Sequence, residues 1–164
     1  MVVWLDVGLM KNNSRRYIQL NALYESMGSS ICAALPGYHA FSGCDYTSAF
    51  SRKGKVRPYK ALMSDFKAQK AFTKLGEEDI ISNESTVAIS KFVCRMYGNR
   101  KLDDVDELRF QMFHKRYRSK DQNESLACVR KLDGSSLPPC KKVLQYKIKR
   151  AAFVARRWTS AIRF

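Results

Sequence analysis

The chain opens on an apolar run, VVWLDV, of the kind that forms a buried strand, and RRYIQL alternates apolar and polar positions as a second strand would. Lys11 to Ser14 between them is turn-prone. From there the apolar spacing is helical. Asn21 is placed to cap a short helix that Gly28 ends, and Ser29 to cap a second, which Pro36-Gly37 interrupts before Tyr38 to Ser42. A helix over 46–51 is expected to meet the turn Lys53-Gly54-Lys55. Pro58 then fits only the first turn of a helix running to about Met63, and Ser64 opens another that Gly76 ends. The strongest pattern lies over 84–97, with Ser82 or Asn83 at its cap, Val87, Phe92, Val93 and Met96 as its stripe and Gly98 beyond its end. Asp103 or Asp104 caps a further helix to about Tyr117, with acids first and bases last, as the helix dipole favours. Residues 119–136 are polar and predict a mobile loop. Pro138-Pro139 opens a basic terminal helix, about 140–162, with Val143, Leu144, Lys147, Ala151, Val154, Ala155, Trp158 and Ile162 down one side. No internal repeat is visible. The pattern predicts a mainly α single domain over 1–164, one or two N-terminal strands followed by a helical bundle.

Composition agrees with a packed core: 45% of the 164 residues are hydrophobic and 12% aromatic, which excludes collagenous, low-complexity and disulfide-scaffold classes. No apolar run reaches the roughly 18 residues of a membrane span, and Asp6 comes too early for a signal peptide, so an intracellular chain, nuclear or cytoplasmic, without membrane contact is expected. Cys32, Cys44, Cys94, Cys128 and Cys140 form no C-x-x-C pair and read as reduced, mostly buried thiols. His39 is expected to pack or bond before Asp45, and His114 to lie at the surface.

Charge changes the picture most. Thirty Lys and Arg against fifteen Asp and Glu give +15, unevenly spread. Residues 1–50 sum to zero, 51–76 to +7, 77–107 to −4, 108–137 to +4 and 138–164 to +8 with no acid. Two cationic blocks around an acidic one point to a polyanion such as nucleic acid, although each block would also serve as a solvated helix face.

HAFSGCDYTSAFSRKGKVRPYKALM, residues 39–63, carries the densest chemistry. A helix delivers Asp45 to a junction beside a glycine-centred basic turn, whose unpaired N–H groups and cationic side chains suit a phosphate. On spacing alone, Asp45 also reads as a helix cap, and Tyr46 as either a core residue or a stacking platform.

The segment resembles the G-[SC]-D-Y-x7-G-x2-R element of the flap-endonuclease-like branch of PIN-like nucleases, with Gly43, Asp45, Tyr46, Phe50, Gly54 and Arg57 on the family positions. Weaker similarity extends to Met27-Gly28 upstream and to residues 89–112 downstream. The chain also resembles uncharacterised animal proteins of mobile-element origin that share H-A-[FLI]-[ST]-G-C-D-x-x-S-x-F, here His39 to Phe50, and a late L-P-P-C followed by a basic helix with Trp, here Leu137 to Cys140 and Trp158.

The resemblance implies an α/β PIN-like remnant containing a helix-two-turn-helix that grips duplex DNA, with Asp45 as one metal-site carboxylate. Arg52 stands where the family has its first turn glycine, and Lys55-Val56 where it has Pro-Lys. Residues 1–38 offer only Asp6 and Glu25 as further carboxylates, and a two-metal mechanism needs several. The expectation is therefore a binding module without catalytic residues. It uses Arg52, Lys53, Gly54, Lys55, Arg57 and Lys60 on duplex DNA, in the C-terminal portion of a PIN-like protein that is fragmentary or degenerate. The alternative is a Mg-dependent structure-specific endonuclease whose other carboxylates lie in a longer gene product or a partner chain. Trp158 belongs either to the core or to a self-association face.

Overall fold

In the computed structural model, residues 1–8, 14–118, 127–128 and 133–161 are described. They fall into two compact units, 1–33 and 34–164, divided within a helix. The first unit holds β1 (Trp4–Val7) and β2 (Arg16–Gln19), paired antiparallel with Leu5 opposite Ile18 and Asp6 opposite Tyr17, then α1 (Leu20–Met27) and the start of α2 (Ser29–Ser42). VVWLDV is therefore not a buried strand: Trp4 and Leu5 are about half exposed. Asp6 has a cation beside it, Arg15, whose Nη2 lies 2.6 Å from Oδ2. Asn21 does not cap α1. Its Oδ1 accepts from the Val3 amide at 2.8 Å and ties the helix to the strand.

The second unit is helical: the rest of α2, then α3 (Val56–Met63), α4 (Phe66–Glu77), α5 (Asn83–Met96), α6 (Val105–His114) and α7 (Lys141–Ala161). A short antiparallel pair, β3 (Tyr117–Arg118) and β4 (Ala127–Cys128), and a 3-10 turn at Gly134–Ser136 lie between the last two helices. Most of the mobile loop expected at 119–136 lies outside the described residues. The expectation of strands followed by a mainly α bundle holds. The core centres on α4, which packs against both α5 and α7. Phe72 meets Phe92 edge-on at 5.2 Å and Phe41 at 5.4 Å, while Leu62, Leu75, Ile89, Leu144 and Ile148 are fully buried.

Three expected boundaries move. Pro36-Gly37 does not interrupt α2, because Tyr38 and Phe41 beyond it are buried, each contributing about 1.5–3 kcal/mol, which together outweighs the roughly 3 kcal/mol of an internal proline. Gly37 makes this packing feasible, since a Cβ there would lie 2.1 Å from the Phe72 carbonyl oxygen. Asp65 rather than Ser64 caps α4, accepting from the Ala68 amide at 3.1 Å. Gly76 lies inside α4, against the methyl of Thr159 on α7. Ser82 and Asp104 cap α5 and α6, and α6 ends at His114. Val87 faces solvent rather than joining the α5 stripe, as does Val143 on α7.

Candidate nucleic-acid interface

Residues 43–55, between α2 and α3, form two successive turns and not the expected helix over 46–51. Thr47 decides the first. Its hydroxyl donates to the Ala40 carbonyl and accepts from the Cys44 amide, while Cys44 and Thr47 exchange both backbone hydrogen bonds at 3.1 and 3.2 Å. Gly43, at φ +118, lets this turn close: a Cβ there would sit 2.6 Å from Ala49 Cα. In the second turn the Lys53 amide donates to the Phe50 carbonyl at 3.2 Å. Arg52 (φ 57) and Gly54 (φ 54) are both left-handed, so Arg52 occupies a conformation that a glycine would adopt without strain.

The second turn leads into the start of α3, which is cationic. Lys55 stands at its N-cap position, no side chain caps it, and its first turn contains no acid. The C-terminal end is satisfied: buried Gln69 donates from Nε2 to the Leu62 and Met63 carbonyls at 2.9 and 3.2 Å.

The five expected basic side chains are held differently. Arg57 and Lys60 are exposed and make no ion pair among the described residues. Arg52 pairs with Asp133 at 3.0 Å at the surface. Lys53 lies 3.9 Å from the centre of the Tyr97 ring, and its desolvation there, then the charge of Arg57, lowers its pKa. Lys55 Nζ lies 2.8 Å from His39 Nδ1, and its carbonyl accepts from the Tyr38 hydroxyl at 2.7 Å. Burial, then the Lys55 charge, lowers the His39 pKa against an opposing effect of Asp45, so neutral His39 accepts from the ammonium.

Asp45 is exposed and borders a recess of about 430 Å³ that also holds His39, Cys44, Lys55 and Trp158. Trp158 packs on the core with its ring 5.4 Å from His39. The recess does not suit Mg²⁺, which takes near-octahedral oxygen ligands: Asp45 is its one carboxylate, and the Lys55 ammonium is already there. Among the described residues, no three His, Cys, Asp or Glu side chains gather as a metal would need. Tyr46 is 64% exposed, which removes it from the core.

The sequence did not reveal that α7 braces this loop. Lys147 donates to the Ser48 carbonyl, and Arg150 Nε donates to that of Tyr46 at 2.8 Å. Burial pushes the Lys147 ammonium down to about 8, although it also faces the Phe50 ring at 4.5 Å. The available signal was Lys147 itself, a cation in the apolar stripe. Burial raises the Cys44 thiol pKa, but its hydrogen bond with Thr47, backbone hydrogen bonds and the Lys55 charge bring it below its ordinary value. Of Cys32, Cys44, Cys94 and Cys140, Cys94 alone is buried, its thiol pushed up to about 11, so the expectation of mostly buried thiols fails.

A larger recess of about 690 Å³ between α4 and α5 carries Lys67, Lys70 and Lys74 of the same +7 block. There cations meet acids: Arg95 pairs with Asp65 and Lys91 with Asp103. The lining still holds five cations against Asp65, Glu84 and Asp103, so positive charge is in excess at this recess as well as at the turn. Among the described residues no helix is long and apolar enough to cross a membrane. Set against protein-family models, curated proteins and solved structures, the chain matches none.

Proposed function

We propose that this chain is a nucleic-acid-binding module that holds duplex DNA by its backbone at the two turns between α2 and α3, in the manner of a PIN-like, flap-endonuclease-like protein. The observation that carries the reading is the start of α3. A helix N-terminus attracts negative charge, and Asp65 and Asp104 supply it to α4 and α6. At α3 the sequence places Lys55 instead, among Arg52, Lys53, Arg57 and Lys60, and leaves the first amides uncapped. A phosphate supplies the missing anion: its oxygens accept from the α3 amides and from these side chains. Such contacts give affinity and carry little sequence information. Asp45 borders the recess beside the turn.

The test is duplex binding as a function of salt. Engagement of all five cations predicts a log-log slope of roughly −4 to −5, at about −0.9 per phosphate. Neutralising Arg57 and Lys60, the two free cations, should reduce that slope by about 2. A duplex affinity that is flat with salt, or insensitive to those two substitutions, overturns the reading.

A further inference from the structure

The turn leaves the +8 block of α7 unexplained. One face of this 21-residue helix is buried through Leu144, Ile148, Ala151 and Ala155. At about 3.6 residues per turn, the opposite face carries Lys142, Tyr146, Lys149, Arg150, Phe153 and Arg157 in one stripe. Tyr146 is 60% exposed and Phe153 is 55% exposed, and α7 contains no acidic residue. The Arg157 guanidinium lies 5.3 Å from the centre of the Phe153 ring. Beside them is a recess of about 390 Å³, bounded also by Arg156, Asp79 and Glu77. Core packing does not account for two aromatic rings held out of the core on the most basic helix.

We propose that the outer face of α7 binds single-stranded nucleic acid, with bases stacking on Tyr146 and Phe153 and phosphates meeting Lys142, Lys149 and Arg157. Aromatic faces accept any base, and interleaved cations follow the backbone. The two rings are seven residues apart, about 10.5 Å along the axis. At the stacked-duplex rise of about 3.4 Å that is roughly three nucleotides, and fewer for an extended single strand. The stripe from Lys142 to Arg157 spans about 22 Å and so covers at most roughly six or seven nucleotides, within the known range for such grooves. Duplex DNA hides its base faces and gains nothing from these rings. A lipid surface fits less well, because membrane-lying helices separate apolar from charged faces, whereas here the rings and cations share one face. A second copy of the stripe would meet it with like charge. The site is separate from the α2–α3 turn and does not rest on the duplex reading.

The test uses the full chain and a labelled oligothymidylate of about ten nucleotides, followed by fluorescence anisotropy. Tyr146→Ala with Phe153→Ala removes exposed rings only, and unchanged circular dichroism checks the fold. Affinity for the oligonucleotide should fall at least about tenfold at an unchanged salt slope, since each stacked base is worth about a fivefold factor or more and two are lost. Duplex affinity should stay within about twofold. Replacing Lys142, Lys149 and Arg157 with Gln should lower the single-strand slope by about 2, at roughly 0.7 per phosphate. Ultraviolet cross-links should map to Tyr146 or Phe153. Oligonucleotide affinity unchanged by the ring substitutions, or cross-links confined to other helices, overturns the proposal. So does binding to phosphatidylserine vesicles without oligonucleotide binding. Loss of duplex binding on neutralising Arg57 and Lys60, with oligothymidylate binding intact, supports the two sites as independent.

Discussion

α3 and α4 follow one another in the same +7 block and begin in opposite ways. α4 starts on Asp65, which is 7% exposed, caps the Ala68 amide and pairs with Arg95 on α5. α3 starts on Lys55, uncapped, behind two left-handed residues. Charge at the α4 start serves the fold. At the α3 start it opposes the fold, since a cation at a helix N-terminus costs about 0.3–1 kcal/mol. Local instability retained at one helix start and absent from the next is the contrast on which the proposed binding at α3 rests.

The largest effect is expected at the start of α4. Asp65→Ala removes a cap worth about 1 kcal/mol and leaves Arg95 without its partner, for a total near 3 kcal/mol. In thermal unfolding that is a fall of roughly 6–12 °C. Duplex affinity measured where the variant is folded should not change. A loss below about 0.5 kcal/mol would erase the contrast between the two helices.

The next test reverses the sign. Lys55→Asp puts the charge that a helix start favours before α3, and stability should rise by about 0.3–1 kcal/mol in denaturant titration. The same change places a negative charge against the bound phosphate, so duplex affinity should fall at least about tenfold. If the variant loses stability and binds as before, Lys55 serves the fold, and the reading of α3 fails.

Arg52→Gly is smaller. Release of the left-handed strain, worth about 1 kcal/mol, is partly offset by the flexibility that glycine adds to the unfolded chain, so stability should stay level or rise slightly. Loss of the exposed pair with Asp133 matters little. The salt slope of duplex binding should weaken by about 0.9. A clear loss of stability would mean that Arg52 is held in place by contacts other than the turn.

The contrast was only partly legible in the sequence. Ser82, Asp104 and Gly98 announced α5 and α6 because capping is local. The turn over 43–55 was less clear, because its first half depends on the Thr47 hydroxyl reaching back to Ala40, a contact that no propensity encodes. Gly37 and Gly76 read as breaks but are points where a neighbouring helix comes close, backbone at Phe72 and side chain at Thr159. The cations were visible as a list. That Lys53 lies over Tyr97, Lys55 on His39 and Lys147 under the loop carbonyls required three-dimensional partners. The exposed stripe of α7 is legible in the seven-residue spacing of Tyr146 and Phe153 opposite the apolar face of the helix.

The smallest expected effect concerns pH and reaches the α3 start through His39. Its folded pKa lies below the ordinary value of 6.5, chiefly through burial and then through Lys55. The unfolded chain therefore takes up its proton at higher pH than the folded one. The stability His39 contributes is fully present above pH 6.5 and is lost as pH falls through the folded value. Binding should move the other way. Protonated His39 cannot accept from Lys55, so the ammonium is released toward phosphate and a second positive charge joins it. Duplex affinity should rise below pH 6.5 while thermal stability falls, and His39→Gln should flatten the affinity change. Affinity that rises equally in the Gln variant would assign the pH response to other groups and leave Lys55 engaged at every pH.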